Sequence, residues 1–395
     1  MDQPLAASRR GPGKREGLFQ LDHQRHPVSE LPRTRNPSWG PEISNQGEEE
    51  HMDRLLRGVL VAGGLGLGGV LAGRALLRNS RWFSFQNKTT LVTGGSRGLG
   101  LVLARQLVDA GARVAICART EGQLRVAEQE LRDRGGAVLA IPCDVRDRTQ
   151  VQSMVDQVSS HWGDIDVLIN NAGIIEVGPL DAMTVEDFHR SMDTHCWGAL
   201  HTMLAVLPGM RRRGWGRIVN VASLGGKRAV PHMLPYAASK FALVGLSNGM
   251  RTELSRENIL VTTICPALMR TGSPRNASFK GQHRKEYAWF SIGDSLPLVS
   301  MDATAAAEKI LLACQRGDGE VVLPSSNNPA IWLQTLAPNV VTEFLALANL
   351  LLPQMGGIGQ RAAKGYESES PLSPSWLTTL GDRAALRNNE ILPAE

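Results

Sequence analysis

The sequence predicts an α/β protein: a single doubly wound domain built on a parallel, seven-stranded sheet. Three observations predict it. From residue 88 to 325, short β-branched runs alternate with amphipathic stretches. A glycine-rich turn joins the first run to the first amphipathic stretch. The 42% hydrophobic content is enough for a sizeable core, and no internal repeat interrupts the βαβ rhythm.

Strands are expected, in order, at Thr89–Val92, Arg113–Cys117, Ala137–Ile141, Asp166–Ile169, Arg217–Val221, Leu260–Cys265 and Glu320–Leu323. Leu99–Ala110, Glu121–Arg134 and Val151–His161 carry apolar residues at helical spacing and are expected to cover the sheet. The turn between the first strand and the first helix reads Thr93-Gly94-Gly95-Ser96-Arg97-Gly98-Leu99-Gly100. Glycines in that context let a backbone approach a pyrophosphate at a helix N-terminus, as in a Rossmann domain. About twenty residues on, NAD-binding folds place an acid on the ribose. This chain has Arg119 there. A guanidinium pairs with a 2′-phosphate that an acid would repel, and Arg97 could close on it from the other side. NADP(H) is therefore expected in preference to NAD(H).

Further on stand Asp144-Val145, Asn170-Asn171-Ala172-Gly173, Ser223, and Tyr236 with Lys240 four residues later. That spacing places Tyr236 and Lys240 one turn apart on one helix face. A nearby lysine cation is expected to lower the pKa of a tyrosine, and a serine hydroxyl can hydrogen-bond a substrate oxygen.

In these motifs and their order, residues 88–275 resemble the short-chain dehydrogenase/reductase family. The resemblance implies an oxidoreductase that moves hydride between a nicotinamide and a carbonyl/alcohol pair. It implies Tyr236 as general acid/base, with Lys240 lowering its pKa and binding the nicotinamide ribose, and Ser223 polarising the carbonyl. Thr93, Gly94, Ser96, Arg97, Gly98, Leu99 and Gly100 would form the cofactor turn. Asp144 and Val145 would meet the adenine, Asn171, Ala172 and Gly173 the adenosine side, and Pro266 and Thr271 the nicotinamide. Two positions depart from the family pattern. Pro266-Ala267 replaces Pro-Gly, and His195 stands where the family commonly has an asparagine in a proton relay. His195 is expected to take over that relay, the alternative being a histidine held by backbone. A different class of function, a catalytically silent nucleotide-binding sensor or scaffold, is the alternative to an enzyme.

Outside the domain, residues 1–54 lack any sustained period and are expected to be a disordered tail. Residues 55–78 contain the uncharged run 58–73, which arginine snorkelling extends toward the length of a membrane anchor. A cleaved leader or a flexible glycine-rich linker are the alternatives. Residues 79–87 read as a juxtamembrane linker with Trp82, Phe83 and Phe85 as interfacial aromatics. Of the net charge of +5, residues 74–88 carry +4 through Arg74, Arg78, Arg81 and Lys88. Such a segment suits an anionic leaflet, with the catalytic domain on the cytoplasmic side. The alternative is a soluble cytoplasmic protein. The near-neutral remainder argues against a nucleic-acid-binding face.

Five scattered cysteines without a CxxC pair predict neither a disulfide framework nor a zinc site, and no metal is expected. Residues 326–353 are expected to form apolar helices, and 354–395 an irregular tail. In residues 268–300, the basic residues Lys280, His283, Arg284 and Lys285 are candidates to face an acyl or lipid headgroup. Tyr287, Trp289 and Phe290 are candidates for a lid. An anchored enzyme with such a segment suits a hydrophobic substrate: sterol, retinoid, long-chain acyl or aldehyde. The resemblance also implies a homodimer or homotetramer built on the helices that carry His195 and Tyr236.

Overall fold

A computed structural model describes residues 69, 72–73, 75–297 and 299–391. The tail at 1–54 and most of the expected anchor at 55–78 lie outside the described residues.

Seven strands form one parallel sheet: β1 (Thr89–Thr93), β2 (Arg113–Ala118), β3 (Ala137–Pro142), β4 (Val167–Asn170), β6 (Gly216–Val221), β7 (Ile259–Pro266) and β8 (Glu320–Leu323). The two-residue strand β5 (Glu176–Val177) falls between β4 and β6 in the chain and belongs to a small separate sheet. The spatial order is β8-β7-β6-β4-β1-β2-β3. Every residue of β1, β4, β6 and β7 is buried, as expected of central strands covered on both faces. Helices α1 (Gly98–Asp109) and α2 (Glu121–Asp133), with Ala303–Arg316, pack one apolar core on one side of the sheet. Helices α3 (Arg148–Trp162), α4 (Gly198–Arg213) and α5 (Leu234–Leu254) pack the second core on the other. Strand order reverses between β1 and β4, so a crevice opens at their C-terminal ends, where ligands bind in open α/β sheets.

Two expectations about the approach to β1 are corrected. Phe85 is 3% exposed, and Phe83 packs edge-on against both Phe85 and Trp215. These aromatics serve the core rather than a membrane interface; Trp82 alone of the three is largely exposed. Two basic residues of this segment, Arg78 and Lys88, are also engaged by the domain. Arg78 donates to both carboxylate oxygens of Asp318 at 2.6 and 2.8 Å, and Lys88 sits over the Trp215 ring.

In the C-terminal region the expected apolar helices are present, but the expected irregular tail is not. The apolar stretch forms two helices, Asn328–Leu336 and Pro338–Asn349, because Pro338 starts a new helix after Ala337 leaves helical geometry. No single helix among the described residues is long and apolar enough to cross a membrane. This pair meets that test only jointly, across a 111° bend. Beyond it the chain is not an irregular tail. Ala363–Lys364 pairs antiparallel with Ser278–Phe279, and Thr379–Arg387 is a helix. The order comes from partners far away in sequence, so local composition gave no sign of it.

Candidate active site

The glycine turn is built by necessity. Gly94 and Gly98 hold φ values of 65° and 55°, a left-handed geometry that costs glycine least. A Cβ on Gly100 would stand 2.0 Å from the Gly94 carbonyl oxygen, and one on Gly94 would meet the Ala172 Cα at 2.9 Å. The turn is thus closed against the β4 loop, and the Asn171 amide bonds the Thr93 and Gly94 carbonyls across the join. Thr93 is buried, and its hydroxyl accepts from the Asn171 and Ala172 amides.

One cleft runs along the C-terminal edge of β1, β4 and β6. Gly94, Ser96, Arg97, Gly98, Leu99, Arg119, Asp144, Val145, Asn171, Ala172, Gly173, His195, Ser223, Tyr236, Lys240 and Pro266 all line it. Thr93, Gly100 and Thr271 stand behind its wall. Thr271 is 3% exposed, and its hydroxyl accepts from the Ser273 amide. The elongated, glycine-floored cleft fits an adenine dinucleotide: backbone approaches closely at the turn, and cations flank it.

At the β6 end the catalytic candidates come together. Ser223 has extended backbone, and its hydroxyl accepts from the Gly225 amide at 3.0 Å. Gly225 lies against the Tyr236 ring, where an added Cβ would be 3.3 Å from Cε1. Lys240 Nζ lies 5.7 Å from the centre of that ring and donates to the Val221 carbonyl at 2.9 Å. Burial pushes the Tyr236 phenol up, partly offset by its bond to Ser223. Burial likewise brings the Lys240 ammonium down to about 7. The expected lowering of the tyrosine by a lysine cation is therefore reversed in direction. Desolvation acts on both groups, and the hydrogen bond the Lys240 ammonium makes goes to a neutral backbone carbonyl.

His195 departs from the relay expectation. It lies in a five-residue π-helical turn, Asp193–Trp197, a rare geometry that often marks functional sites. Its Nε2 accepts from the Ile174 amide at 3.1 Å, so the ring proton belongs on Nδ1, which faces the Ser239 hydroxyl at 2.7 Å. Ser239 in turn donates to the Tyr236 carbonyl at 2.8 Å. Burial, then the Lys240 charge, hold this imidazole well below its ordinary range. Both ring nitrogens are spent, so a direct hydrogen bond from Lys240 to this ring has no open partner. The geometry makes His195 a positioning residue for the β4 loop and the Tyr236 helix.

Other candidates sit differently from expectation. The Asp144 carboxylate is taken by the Arg146 guanidinium, at 2.6 Å at its shortest, which holds it below the usual carboxylate range. Lys280 is 4% exposed and ion-paired with Asp187 at 2.5 Å, so it does not face a headgroup. Tyr287 and Phe290 pack with Phe279, Val177 and Met233 into a closed cluster, against which Tyr236 rests. They form a buried core cluster behind Tyr236 rather than a lid. All five cysteines are free and buried, and the described residues contain no group of metal-ligating side chains.

Sequence reasoning missed the C-terminal contribution. Arg97, expected to reach a phosphate, is paired with Glu390 at 2.7 Å, and Glu390 lines the cleft. Gln123, at the start of α2, exchanges hydrogen bonds with Asn389. Nothing in the local sequence marks Asn388-Asn389-Glu390, because its partners lie up to 293 positions away.

Comparison with known proteins agrees with this geometry. The short chain dehydrogenase profile matches residues 88–280. The dehydrogenase/reductase SDR family protein 7-like of Anopheles gambiae is 32% identical over 277 residues, covering 67% of this chain and 83% of that protein. The ketoacyl reductase HetN of Nostoc sp. is 38% identical over 179 residues, 45% of this chain and 62% of that one. Among solved structures, an actinorhodin polyketide ketoreductase with NADPH superposes with a TM-score of 0.54 at 33% identity, covering 60% of this chain and 95% of that one. With the seven-stranded parallel sheet, the glycine turn and the Ser223, Tyr236 and Lys240 cluster, these matches show that the chain belongs to the short-chain dehydrogenase/reductase family.

Proposed function

We propose that the protein is an NADP(H)-dependent reductase of carbonyl groups, with Tyr236 as proton donor. The observation that carries the reading is the convergence of Ser223, Tyr236 and Lys240 on one end of the glycine-floored cleft. A bound nicotinamide would supply the hydride. The protein's part is orientation and the proton. Ser223 hydrogen-bonds the carbonyl oxygen, and Tyr236 delivers a proton to it as negative charge develops. Lys240, on the same helix face, orients the nicotinamide side and favours tyrosinate when protonated. Arg119 is exposed at the end of β2 and is the arginine we assign to the 2′-phosphate.

The apolar lining of the cleft, Ile174, Ile175 and Met269, supports a hydrophobic ketone, with acyl chains ahead of sugars. The names of the ketoacyl and polyketide relatives are in keeping with that choice. For location we propose a membrane association with the catalytic domain on the cytoplasmic side. Support for the membrane contact comes from the bent helix pair, where Trp332, Leu336, Phe344 and Leu347 are all more than half exposed. Fractionation tests it: recovery of all the protein in the soluble fraction without detergent would end that proposal. A dimer or tetramer through α4 and α5 is supported by exposed Leu204 and Phe241, and light scattering would test it.

The direct test of the activity is NADPH consumption over a carbonyl panel running from short ketones through β-ketoacyl thioesters to steroids and long-chain aldehydes. The proposal expects turnover with at least one hydrophobic carbonyl, faster with NADPH than NADH. Tight NADPH binding with no turnover across the panel would favour a nucleotide-binding sensor instead.

A further inference from the structure

The C-terminal segment places an acid inside the cofactor cleft. Glu390 is 5% exposed, and one of its carboxylate oxygens accepts from Arg97 at 2.7 Å and from the Asn276 amide at 2.6 Å. The same amide bonds the Glu390 backbone carbonyl at 2.8 Å. A Cβ on Gly98 would meet the other carboxylate oxygen at 2.7 Å, so the acid lies against the first turn of α1.

This is a fitted segment. The Gly98 amide donates to the Asn388 carbonyl at 2.9 Å, and the Asn388 side chain donates to the Thr271 carbonyl. The Asn389 amide bonds the carbonyls of Ser96 and Gln123. Arg105 donates to Asn388 and to the Arg387 carbonyl. Residues 388–390 therefore form part of the wall over the glycine turn.

The first turn of a helix attracts phosphate through its amides and dipole, and Arg97 adds a cation. A buried carboxylate at that point spends the charge of Arg97 and opposes a phosphate through like charge, in a site where screening by water is weak. We propose that Glu390 is a specificity-determining residue of the cofactor site. It removes Arg97 from phosphate recognition and lowers affinity for the phosphate-rich dinucleotide. Arg119, which has no ion-pair partner among the described residues, remains to read the 2′-phosphate. The inference rests on the dinucleotide reading of the cleft.

The test titrates the full chain, Glu390→Gln, Arg97→Ala and the double variant with NADPH and with NADH, following nicotinamide fluorescence. Thermal unfolding and amide exchange over residues 385–391 are measured on the free proteins. Glutamine keeps an oxygen acceptor for Arg97 and Asn276; Glu390→Ala is the second variant if glutamine disturbs the segment. The expected result is NADPH binding tightened about tenfold by Glu390→Gln, with a smaller gain for NADH. That gain shrinks when Arg97 is also replaced, to the share that like-charge repulsion alone accounts for. Unchanged or weaker NADPH binding by both folded Glu390 variants, or a gain undiminished without Arg97, overturns the proposal. A full chain that binds neither nucleotide overturns the dinucleotide reading, and the proposal falls with it.

Discussion

His195 and Ser239 share a 2.7 Å hydrogen bond that locks the buried imidazole to the catalytic helix. With Nε2 accepting from the Ile174 amide and Ser239 donating to the Tyr236 carbonyl, the chain of bonds runs in one direction. Its order fixes His195 as the neutral Nδ1–H tautomer.

A neutral, fixed histidine predicts a particular pattern. Because its pKa is held well below the ordinary range, His195 should give no limb in the pH–rate profile between about pH 5 and 8. His195→Ala should lower kcat by about 10-fold to 100-fold through misplacement of Tyr236, with that profile unchanged in shape. Loss of a limb near neutrality in His195→Ala would restore the relay role.

Lys240 makes a prediction about stability. Its pKa of about 7 in the folded protein lies below the ordinary 10.5. Between those values the unfolded chain binds a proton that the folded protein does not. The stability cost is therefore fully present below about pH 7 and is relieved as pH rises toward 10.5. Lys240→Met should unfold at a higher temperature than the parent at pH 6.5, by a margin that shrinks toward pH 10. A margin independent of pH, measured by calorimetry, would show that the lysine stays charged when buried.

The turn predicts a steric outcome. Gly100→Ala would push a methyl to 2.0 Å from the Gly94 carbonyl oxygen. The strain should cost roughly 1–3 kcal/mol and sharply weaken dinucleotide binding. Gly122→Ala, with open space around its Cβ position, is the control and should change neither.

Arg119 bears on cofactor choice. Arg119→Ala should reduce the NADPH-to-NADH affinity ratio by about tenfold or more, mostly by weakening NADPH. An unchanged ratio would move 2′-phosphate recognition elsewhere.

The central sheet was legible in the sequence because buried parallel strands read as β-branched runs, and all seven fall where those runs do. The site residues were legible for a related reason. The glycine turn and the Tyr236–Lys240 pair are short-range patterns whose geometry follows from strand-turn-helix and one helical turn. What the sequence hid depends on distant partners. Phe83 reads as interfacial by its neighbours in sequence but packs on Trp215, and Lys280 reads as free but is paired with Asp187. Residues 388–390 looked like tail, yet they bond Ser96, Gly98 and Gln123. The reversed pKa direction of Tyr236, beside Lys240, has the same origin. Spacing gave their proximity, but burial decided which form each prefers.

The most direct test of the account is Tyr236→Phe, assayed with NADPH and the best carbonyl of the panel. The proposed proton donor is the phenol hydroxyl, while the ring packs against the buried apolar cluster. The account predicts a loss of kcat of about 10²–10⁴-fold, with NADPH affinity and melting temperature close to those of the parent. Turnover at the parental rate by a folded, NADPH-binding Tyr236→Phe protein would contradict it.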